Sequence, residues 1–210
     1  VAAAREALPN ARLKVDANLG YTFAGALDAL RKLCEYGIIY AEQPVASIED
    51  MAALRFAIAK EGLPARIAAD ESIRKAEDPL KVARANAADL MVIKAAPLGG
   101  VRRALALVEQ AQLPAVVSSA LESSVGIATG ASLAASLPTL KYGCGLGTVS
   151  LMAEDVTDEP LIARDGFMDL RAITPSPQRL ERLATDEQTR QWWVERVTAC
   201  YRVLERACGL

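Results

Sequence analysis

Four charged residues, each placed after a short and mostly apolar run, are the residues of this sequence best suited to chemistry: Asp16, Glu42, Asp70 and Lys94. An unpaired buried charge is costly, so a buried strand that ends in a charged side chain indicates a functional residue. A single acid at a strand end could equally be a helix cap or half of a surface salt bridge. Three acids in matching positions, followed by a lysine in the same position, favour one common site.

The residue types indicate what such a site would bind. The chain contains no histidine, so the carboxylate oxygens of the three acids would be the ligands. Oxygen ligands of this kind favour a hard divalent cation, Mg²⁺ before Mn²⁺, and argue against Zn²⁺. The lack of histidine also excludes Ser-His-Asp and Cys-His catalytic sites.

The spacing of the four residues predicts how the chain positions them. They recur at intervals of about 25 residues, the length of one strand, one helix and two short loops. This repeat predicts an α/β fold, a (β/α) barrel with a parallel sheet and crossover helices. The C-terminal strand ends of such a barrel face one mouth, so we expect the carboxylates of Asp16, Glu42 and Asp70 to surround one cation there. The predicted strands are 13–16, 38–41, 66–69, 90–93, 114–117 and a short one at 140–144.

Local signals place the helices between these strands. Thr22 and Ser47 occupy N-cap positions before amphipathic segments. Residues 148–177 are irregular, with a hairpin predicted around Asp165-Gly166. Residues 186–208 read as one long helix. Its apolar stripe is expected to pack against the barrel and consists of Trp193, Val197, Tyr201 and Leu204.

Residues next to the charged strand ends are further candidates. Lys14 shares a strand face with Asp16, so it is either a solvated charge or a neighbour of the site. Glu71 follows Asp70 and is interpreted as a neighbour of the ligands. Ser118 and Ser119 follow the fifth predicted strand, and they either cap the next helix or hydrogen-bond a substrate carboxylate.

Composition narrows the class of protein. The 210 residues are 52% hydrophobic and carry a net charge of −2, which suits one globular domain with a sizeable core. An aromatic content of 5% and the lack of a basic excess predict no nucleic-acid partner. No apolar run reaches the roughly 18 residues that span a bilayer, so we expect no membrane partner. The cysteines are interpreted as reduced, mostly buried thiols of a cytoplasmic protein, and they are Cys34, Cys144, Cys200 and Cys208.

Three short motifs on consecutive predicted strands resemble the enolase superfamily, in its muconate-lactonizing-like subgroup. They are Asp16-Ala-Asn18, Glu42-Gln-Pro44 and Asp70-Glu-Ser72, and Lys94 matches the family's lysine on the next strand. The resemblance implies a modified TIM barrel. It also implies Mg²⁺, with Mn²⁺ as a substitute, held by Asp16, Glu42 and Asp70, and a catalytic role for Lys94.

Two later segments narrow the resemblance within the subgroup. Residues 118–126 and the Gly-rich segment from Gly145 look like the o-succinylbenzoate synthases, in their actinobacterial form. That implies dehydration of 2-succinyl-6-hydroxy-2,4-cyclohexadiene-1-carboxylate to o-succinylbenzoate in menaquinone biosynthesis, through an enediolate. The implied contacts with this small carboxylate substrate are Asn18, Ser118, Ser119 and Gly145. The alternatives left open are an N-succinylamino acid racemase, an epimerase or a cycloisomerase of the subgroup, and a non-catalytic metal-binding barrel.

The chain departs from the family pattern in two respects. The family's proton-abstracting lysine lies in a Lys-x-Lys motif on the strand before the first metal ligand, and Lys14 does not match it because it lies on the ligand strand. A capping domain that closes over the substrate is also not visible. We therefore expect residues 1–210 to be a C-terminal (β/α) barrel domain without its first strand or strands and without the N-terminal capping domain. The sequence leaves the oligomeric state open.

Overall fold

Five parallel strands form one sheet in chain order in the computed structural model, which describes residues 1–75 and 77–208. The strands are β1 (Val15–Asp16), β2 (Ala41–Glu42), β3 (Ile67–Ala69), β4 (Leu90–Ile93) and β5 (Ala115–Val117). A parallel sheet in chain order requires a crossover between each pair of strands. This confirms the α/β fold predicted from the spacing of the charged residues.

Helices supply the crossovers and the C-terminal part of the chain. They are α1 (Ala2–Ala7), α2 (Phe23–Cys34), α3 (Ile48–Lys60), α4 (Glu71–Arg74), α5 (Lys81–Arg84), α6 (Val101–Ala111), α7 (Ser124–Ser136), α8 (Pro177–Arg182) and α9 (Glu187–Cys208), with a 3₁₀ turn at Thr148–Leu151. Two of the predicted N-caps are confirmed. Thr22 Oγ1 accepts the N–H of Gly25 at 3.2 Å, and Ser47 Oγ accepts the N–H of Asp50 at 2.9 Å. Each cap satisfies a donor that the first helical turn leaves unpaired.

The two faces of the sheet bury different sets of side chains. The outer face packs against the helices through the large apolar core, to which Ile67, Met91 and Val117 belong. The opposite face, which we call the inner face, carries a smaller cluster made of Tyr40, Ala68, Leu90, Val92, Val116 and Tyr142. Side chains alternate between faces with a period of two. The residues two positions beyond the inner-face cluster therefore lie on the same side at the carboxyl ends of the strands, and they are Glu42, Asp70, Lys94 and Ser118.

The sheet curves until β1 and the segment after α7 come together. Lys14 Nζ donates to the carbonyl of Gly143 at 2.8 Å. The rings of Tyr40 and Tyr142 meet edge to face with their centroids 5.7 Å apart. Arg66 donates to the hydroxyl of Tyr142 at 2.7 Å. These contacts join residues 142 and 143 to the chain just before β1, β2 and β3.

The strand predicted at 140–144 is wrong. The structure has only an isolated parallel bridge there, between Ser118 and Gly145. Its backbone bonds are Gly145 N to Val117 O at 2.8 Å and Ser119 N to Gly145 O at 3.0 Å. Residues 142 and 143 instead contact the chain just before β1 and β2: Lys14 Nζ donates to the carbonyl of Gly143, and Tyr142 packs on Tyr40. No backbone ladder forms there.

The first two predicted strands are longer than those in the structure. The prediction gave 13–16 and 38–41, whereas β1 is Val15–Asp16 and β2 is Ala41–Glu42. Backbone bonding nevertheless begins earlier, because Ile39 N donates to Leu13 O at 2.8 Å. Strands β3, β4 and β5 lie within one residue of their predicted bounds.

A buried acid attaches the irregular segment after the 3₁₀ turn to α7. Asp155 is 5% exposed and accepts the N–H of Ser124 at 3.1 Å and the N–H of Val156 at 2.8 Å. The hydroxyl of Ser124 also donates to Asp155, and it accepts the N–H of Leu161 at 2.7 Å. The hairpin predicted at Asp165-Gly166 is confirmed by an antiparallel bridge between Arg164 and Phe167.

The expectation that the stripe of α9 packs against the barrel is wrong. Trp193, Val197, Tyr201 and Leu204 are between 53% and 62% exposed. The periodicity of these residues predicts that they share one helix face, but it does not say what covers that face. Within residues 1–75 and 77–208, no element covers this face of α9. No helix in that part of the chain is long and apolar enough to cross a membrane.

The cysteines are only partly as expected. Cys34, Cys144 and Cys200 are free thiols. Cys34 and Cys144 are partly buried and Cys200 is exposed, so the expectation of mostly buried thiols is wrong for these three. The side chain of Cys208 lies outside the described part of the chain.

Candidate metal centre

The acidic ends of β1 and β2 lie side by side. Asp16 pairs directly with Glu42 in the parallel register, and Glu42 pairs with Ala68 of β3. Asp70 lies two residues beyond Ala68 and is therefore on the same face of the sheet. The alternation of side chains thus brings the three acids to one edge of the sheet.

Asp70 is a buried carboxylate that two cations share. It is 3% exposed. Lys94 Nζ lies 2.6 Å from Asp70 Oδ2, and Arg74 Nε lies 3.0 Å from Oδ1 and 3.1 Å from Oδ2. Both partners are needed because a carboxylate removed from water is stable only when it is paired and hydrogen-bonded.

Glu71 lies beside this arrangement with half of its carboxylate unpaired. Arg74 donates to Glu71 Oε1. Oε2 is buried and is the side-chain oxygen without a hydrogen-bond partner among the described residues. The structure therefore places Glu71 as a neighbour of Asp70 that shares Arg74 with it and has one buried oxygen without a hydrogen bond.

Glu42 resists ionisation. Burial raises its pKa to about 7, and the negative charges of Asp16 and Asp70 add to the rise, whereas Lys94 and Lys14 oppose it. Desolvation and like charges both disfavour the ionised form. A divalent cation among these acids would reverse that effect, because it offsets the repulsion and attracts the ionised carboxylate.

A cavity of about 240 Å³ opens against the inner face at this edge. Five candidates from the sequence line it: Lys14, Asp16, Glu42, Ser118 and Gly145. Asp70 and Lys94 lie near enough for their charges to act on Glu42. The arrangement offers carboxylates, a hydroxyl and ammonium groups around a space that suits a small polar molecule.

The carboxylates of Asp16 and Asp70 bond to different partners at this edge. Asp16 is exposed, and its Oδ1 accepts the N–H of Asn18 at 3.0 Å, while Asp70 is turned toward Lys94 and Arg74. Like charges repel, and both Asp16 and Asp70 are bonded to nearby donors instead of facing one another. Within residues 1–75 and 77–208, no three acids, cysteines or histidines lie close enough together to hold a metal ion. The assignment of Asp16, Glu42 and Asp70 as ligands therefore stays a prediction.

The other predicted substrate contacts separate into two groups. Ser118 lines the cavity with its Oγ 3.5 Å from the Gly145 carbonyl. Ser119 is buried and donates to the Gly145 carbonyl at 2.8 Å, with Thr148 Oγ1 at 3.1 Å. Asn18 is exposed in the turn after β1, with φ at 46°. Ser118 and Gly145 thus line the cavity, whereas the hydroxyl of Ser119 is already bonded to protein groups.

Two residues around this centre are not predicted by the sequence. Arg74 lies four positions after Asp70, a spacing that places ion pairs on one helix face. Gln43 is the middle residue of the Glu42-Gln-Pro44 motif and is fully buried under the end of β3. Arg74 could have been found from its spacing to Asp70, but nothing in the sequence indicates the contacts of Gln43.

Comparison with known proteins places the chain in a family. A family model described as Enolase C-terminal domain-like matches residues 1–175. The chain belongs to the enolase C-terminal domain-like family. Membership of this family implies the use of a divalent metal.

Two relatives show how far the family resemblance extends. An o-succinylbenzoate synthase of Mycolicibacterium smegmatis is 50% identical over 205 residues, covering 97% of this chain and 61% of that protein. An o-succinylbenzoate synthase of Mycobacterium tuberculosis is 49% identical over 210 residues, covering 100% of this chain and 62% of that protein. The chain thus spans about three-fifths of the length of the curated relatives it matches.

Solved structures agree on the fold. The muconate cycloisomerase from Pseudomonas fluorescens matches with a TM-score of 0.75 and 30% identity, covering 86% of this chain and 52% of that chain. The muconate lactonizing enzyme from Pseudomonas putida matches with a TM-score of 0.75 and 29% identity. This confirms the enolase-superfamily fold and the resemblance to the muconate-lactonizing-like subgroup.

Proposed function

We propose that the chain is the metal-binding barrel domain of an o-succinylbenzoate synthase, a hydro-lyase of menaquinone biosynthesis. The observation that carries the proposal is the placement of Asp16, Glu42, Asp70 and Lys94 at neighbouring strand ends on one face. Relatives of that name at about 50% identity support the choice of reaction. Its substrate would be 2-succinyl-6-hydroxy-2,4-cyclohexadiene-1-carboxylate, a small carboxylate, and the protein would act in the cytoplasm without nucleic-acid or membrane partners.

The donor set fits a hard cation. Asp16, Glu42 and Asp70 would hold Mg²⁺, with Mn²⁺ as a substitute, because all three offer carboxylate oxygens. Two observations support room for a cation: Glu71 has a buried oxygen without a hydrogen bond, and the pKa of Glu42 is raised by burial and then by the charges of Asp16 and Asp70. When bound, the cation supplies positive charge beside the carboxylate of the substrate.

Lys94 would act on the reacting part of the substrate. Removal of a proton next to a carboxylate builds negative charge on that carboxylate, and a fixed ammonium group stabilises it most when water is excluded. Lys94 is 8% exposed and is held by Asp70, so its charge is oriented before the substrate arrives. The hydroxyl of Ser118 would donate a hydrogen bond to a carboxylate of a substrate in the cavity.

The family resemblance implies a base lysine in a Lys-x-Lys motif, and no such motif occurs in the 210 residues. The proposal therefore assigns no proton-abstracting base among them. Lys94 would stabilise the developing negative charge, and Asp16, Glu42 and Asp70 would bind the cation.

The test compares two substrates in the protein expressed from its complete coding sequence. The cyclohexadiene carboxylate and an N-succinylamino acid are assayed side by side, with Mg²⁺ and with a chelator. We expect dehydration of the first to exceed racemisation of the second, and we expect the chelator and Asp70→Asn to abolish it. Faster turnover of the N-succinylamino acid would assign the protein to the racemases. Failure to turn over either substrate, with Mg²⁺ still bound, would favour a non-catalytic barrel.

A further inference from the structure

The side chain of Gln43 bonds to the end of the neighbouring strand. It is 0% exposed. Its Oε1 accepts the N–H of Asp70 at 3.0 Å and the N–H of Ser72 at 3.2 Å. Its Nε2 donates to Ser72 Oγ at 2.8 Å and to the carbonyl of Val45 at 3.1 Å. Both ends of the buried amide are therefore paired, which a buried polar group requires.

The backbone of Gln43 bonds to the strands on both sides. Gln43 N donates to Ala68 O of the β3 side at 2.8 Å, and Leu19 N, in the turn after β1, donates to Gln43 O at 2.9 Å. Its φ is 36°, in the left-handed region that residues other than glycine seldom adopt. Backbone strain of this kind persists only where surrounding contacts enforce it. Gln43 thus contacts the chain just after Asp16 and just before α4.

Gln43 and Glu42 have different neighbours although they are adjacent. Glu42 lines the cavity of the inner face. The amide of Gln43 lies on the helix side of the sheet, 3.0 Å from the sulfur of Met51 in α3. The residue therefore has no access to a cation or a substrate. It can act on them only through the positions of the acids.

We propose that Gln43 is a positioning residue that fixes the spacing between Asp16, Glu42 and Asp70. The inference rests on the metal site of the proposed function. Lys94 and Arg74 fix the carboxylate of Asp70, but Gln43 fixes its backbone through the N–H of that residue. A cation needs its ligands at defined distances from one another. If the end of β3 moves relative to the end of β2, the distance between Glu42 and Asp70 varies and the cation binds more weakly. Groups that orient metal ligands typically change metal affinity by about 10- to 100-fold when they are removed.

Two substitutions separate positioning from packing. Gln43→Leu keeps a side chain of similar size against Met51 but leaves the N–H groups of Asp70 and Ser72 without their buried acceptor. Gln43→Asn keeps the amide but is one methylene too short to bond both N–H groups. The matched control is Leu133→Ala, a 0% exposed residue of α7 remote from the strand ends. This control lowers the free energy of unfolding by the cavity it creates, without touching the acids.

The experiment measures Mn²⁺ affinity by electron paramagnetic resonance in the purified protein, at a temperature where every variant is folded. We expect Gln43→Leu to bind Mn²⁺ about 10- to 100-fold more weakly than wild type and Gln43→Asn at least about tenfold more weakly. Leu133→Ala should stay within about twofold of wild type. Amide hydrogen exchange at Asp70 and Ser72 should speed up in both Gln43 variants and stay unchanged in Leu133→Ala.

The two readouts distinguish the possible failures. Wild-type protein that binds no Mn²⁺ would refute the proposed metal site, and this inference with it. Normal Mn²⁺ affinity in the Gln43 variants, whether or not exchange at Asp70 speeds up, would overturn only the inference. Equal weakening in Leu133→Ala would overturn it as well, because general loss of stability would then explain the result. If Gln43→Leu does not fold, Gln43→Asn decides by the same criteria.

Discussion

Lys94 and Asp70 form a buried ion pair across neighbouring strands, with Lys94 Nζ 2.6 Å from Asp70 Oδ2. Arg74 bonds to both oxygens of the same carboxylate. The carboxylate of Asp70 is therefore paired with two cations, one from the next strand end and one from α4. This double pairing fixes the ammonium of Lys94 beside the carboxylate of Asp70 at neighbouring strand ends.

Lys94→Ala should separate catalysis from metal binding. We expect kcat to fall by about 10²- to 10³-fold, because a fixed group that stabilises developing charge is lost. Mg²⁺ should bind at least as tightly as in wild type, because a cation beside Asp70 is removed and no ligand is. Steady-state kinetics and calorimetry on the protein from its complete coding sequence measure the two effects, with the exposed Lys60→Ala as control. Near-normal turnover would refute the role of Lys94.

Glu42 should make the metal-free protein less stable as the pH rises toward neutrality. Its pKa is raised to about 7 from the ordinary value of 4.5. The folded state then binds more protons than the unfolded state between these values, so the stability that protonated Glu42 contributes is complete below 4.5 and is lost as the pH rises through 7. Thermal unfolding from acid to neutral pH measures this slope, which Glu42→Gln should reduce. Exposed Glu35→Gln is the control, and an unchanged slope in Glu42→Gln would contradict the prediction.

Metal binding should show the opposite pH dependence. A cation requires the ionised carboxylate, so binding to Glu42 releases a proton whenever that group is protonated beforehand. We expect Mg²⁺ affinity to rise as the pH increases through about 7, the raised pKa of Glu42. Calorimetry in two buffers of different ionisation enthalpy measures the released proton. Binding without proton release below neutral pH would show that Glu42 is not a ligand.

Arg74→Ala should destabilise the centre. Its side chain bonds to Asp70 and Glu71, whose carboxylates are buried. Loss of hydrogen bonds to charged groups costs about 1.5–3 kcal/mol of unfolding free energy. Arg74→Lys should recover only part of this, because an ammonium cannot bond two carboxylates through a planar fork. Chemical denaturation measures both variants, and exposed Arg84→Ala, which breaks a surface pair with Asp78, should have little effect. Equal losses in Arg74→Ala and Arg84→Ala would contradict the prediction.

Asp155→Ala should destabilise the fold without altering the metal site. The substitution removes the acceptor of two backbone N–H groups and of the Ser124 hydroxyl. Each buried group left unpaired costs about 1–3 kcal/mol of unfolding free energy. Nearby Asp158 is 69% exposed in its pair with Arg179, so Asp158→Ala should change little. Denaturant unfolding compares the two, and Mn²⁺ affinity should match wild type in both.

Regular patterns in the sequence determined the fold and the face on which the candidate site lies. The repeat of about 25 residues indicates one strand and one helix per unit, and it predicted the parallel sheet. The alternation of side chains along a strand put Glu42 on the same face as Tyr40 and Lys94 on the same face as Val92. Both patterns arise from local backbone geometry, so they can be interpreted without knowing any distant contact.

Tertiary structure decided which groups meet. Arg74 rather than a solvent molecule shares the carboxylate of Asp70, and the amide of Gln43 holds the backbone of the next strand. Tertiary contacts also decided that no strand forms at 140–144, where Lys14 bonds to Gly143 and Tyr142 packs on Tyr40. They likewise left the apolar stripe of α9 exposed. These outcomes depend on residues far apart in the chain, and a local pattern specifies which side chains share a face but not the partner that the face contacts.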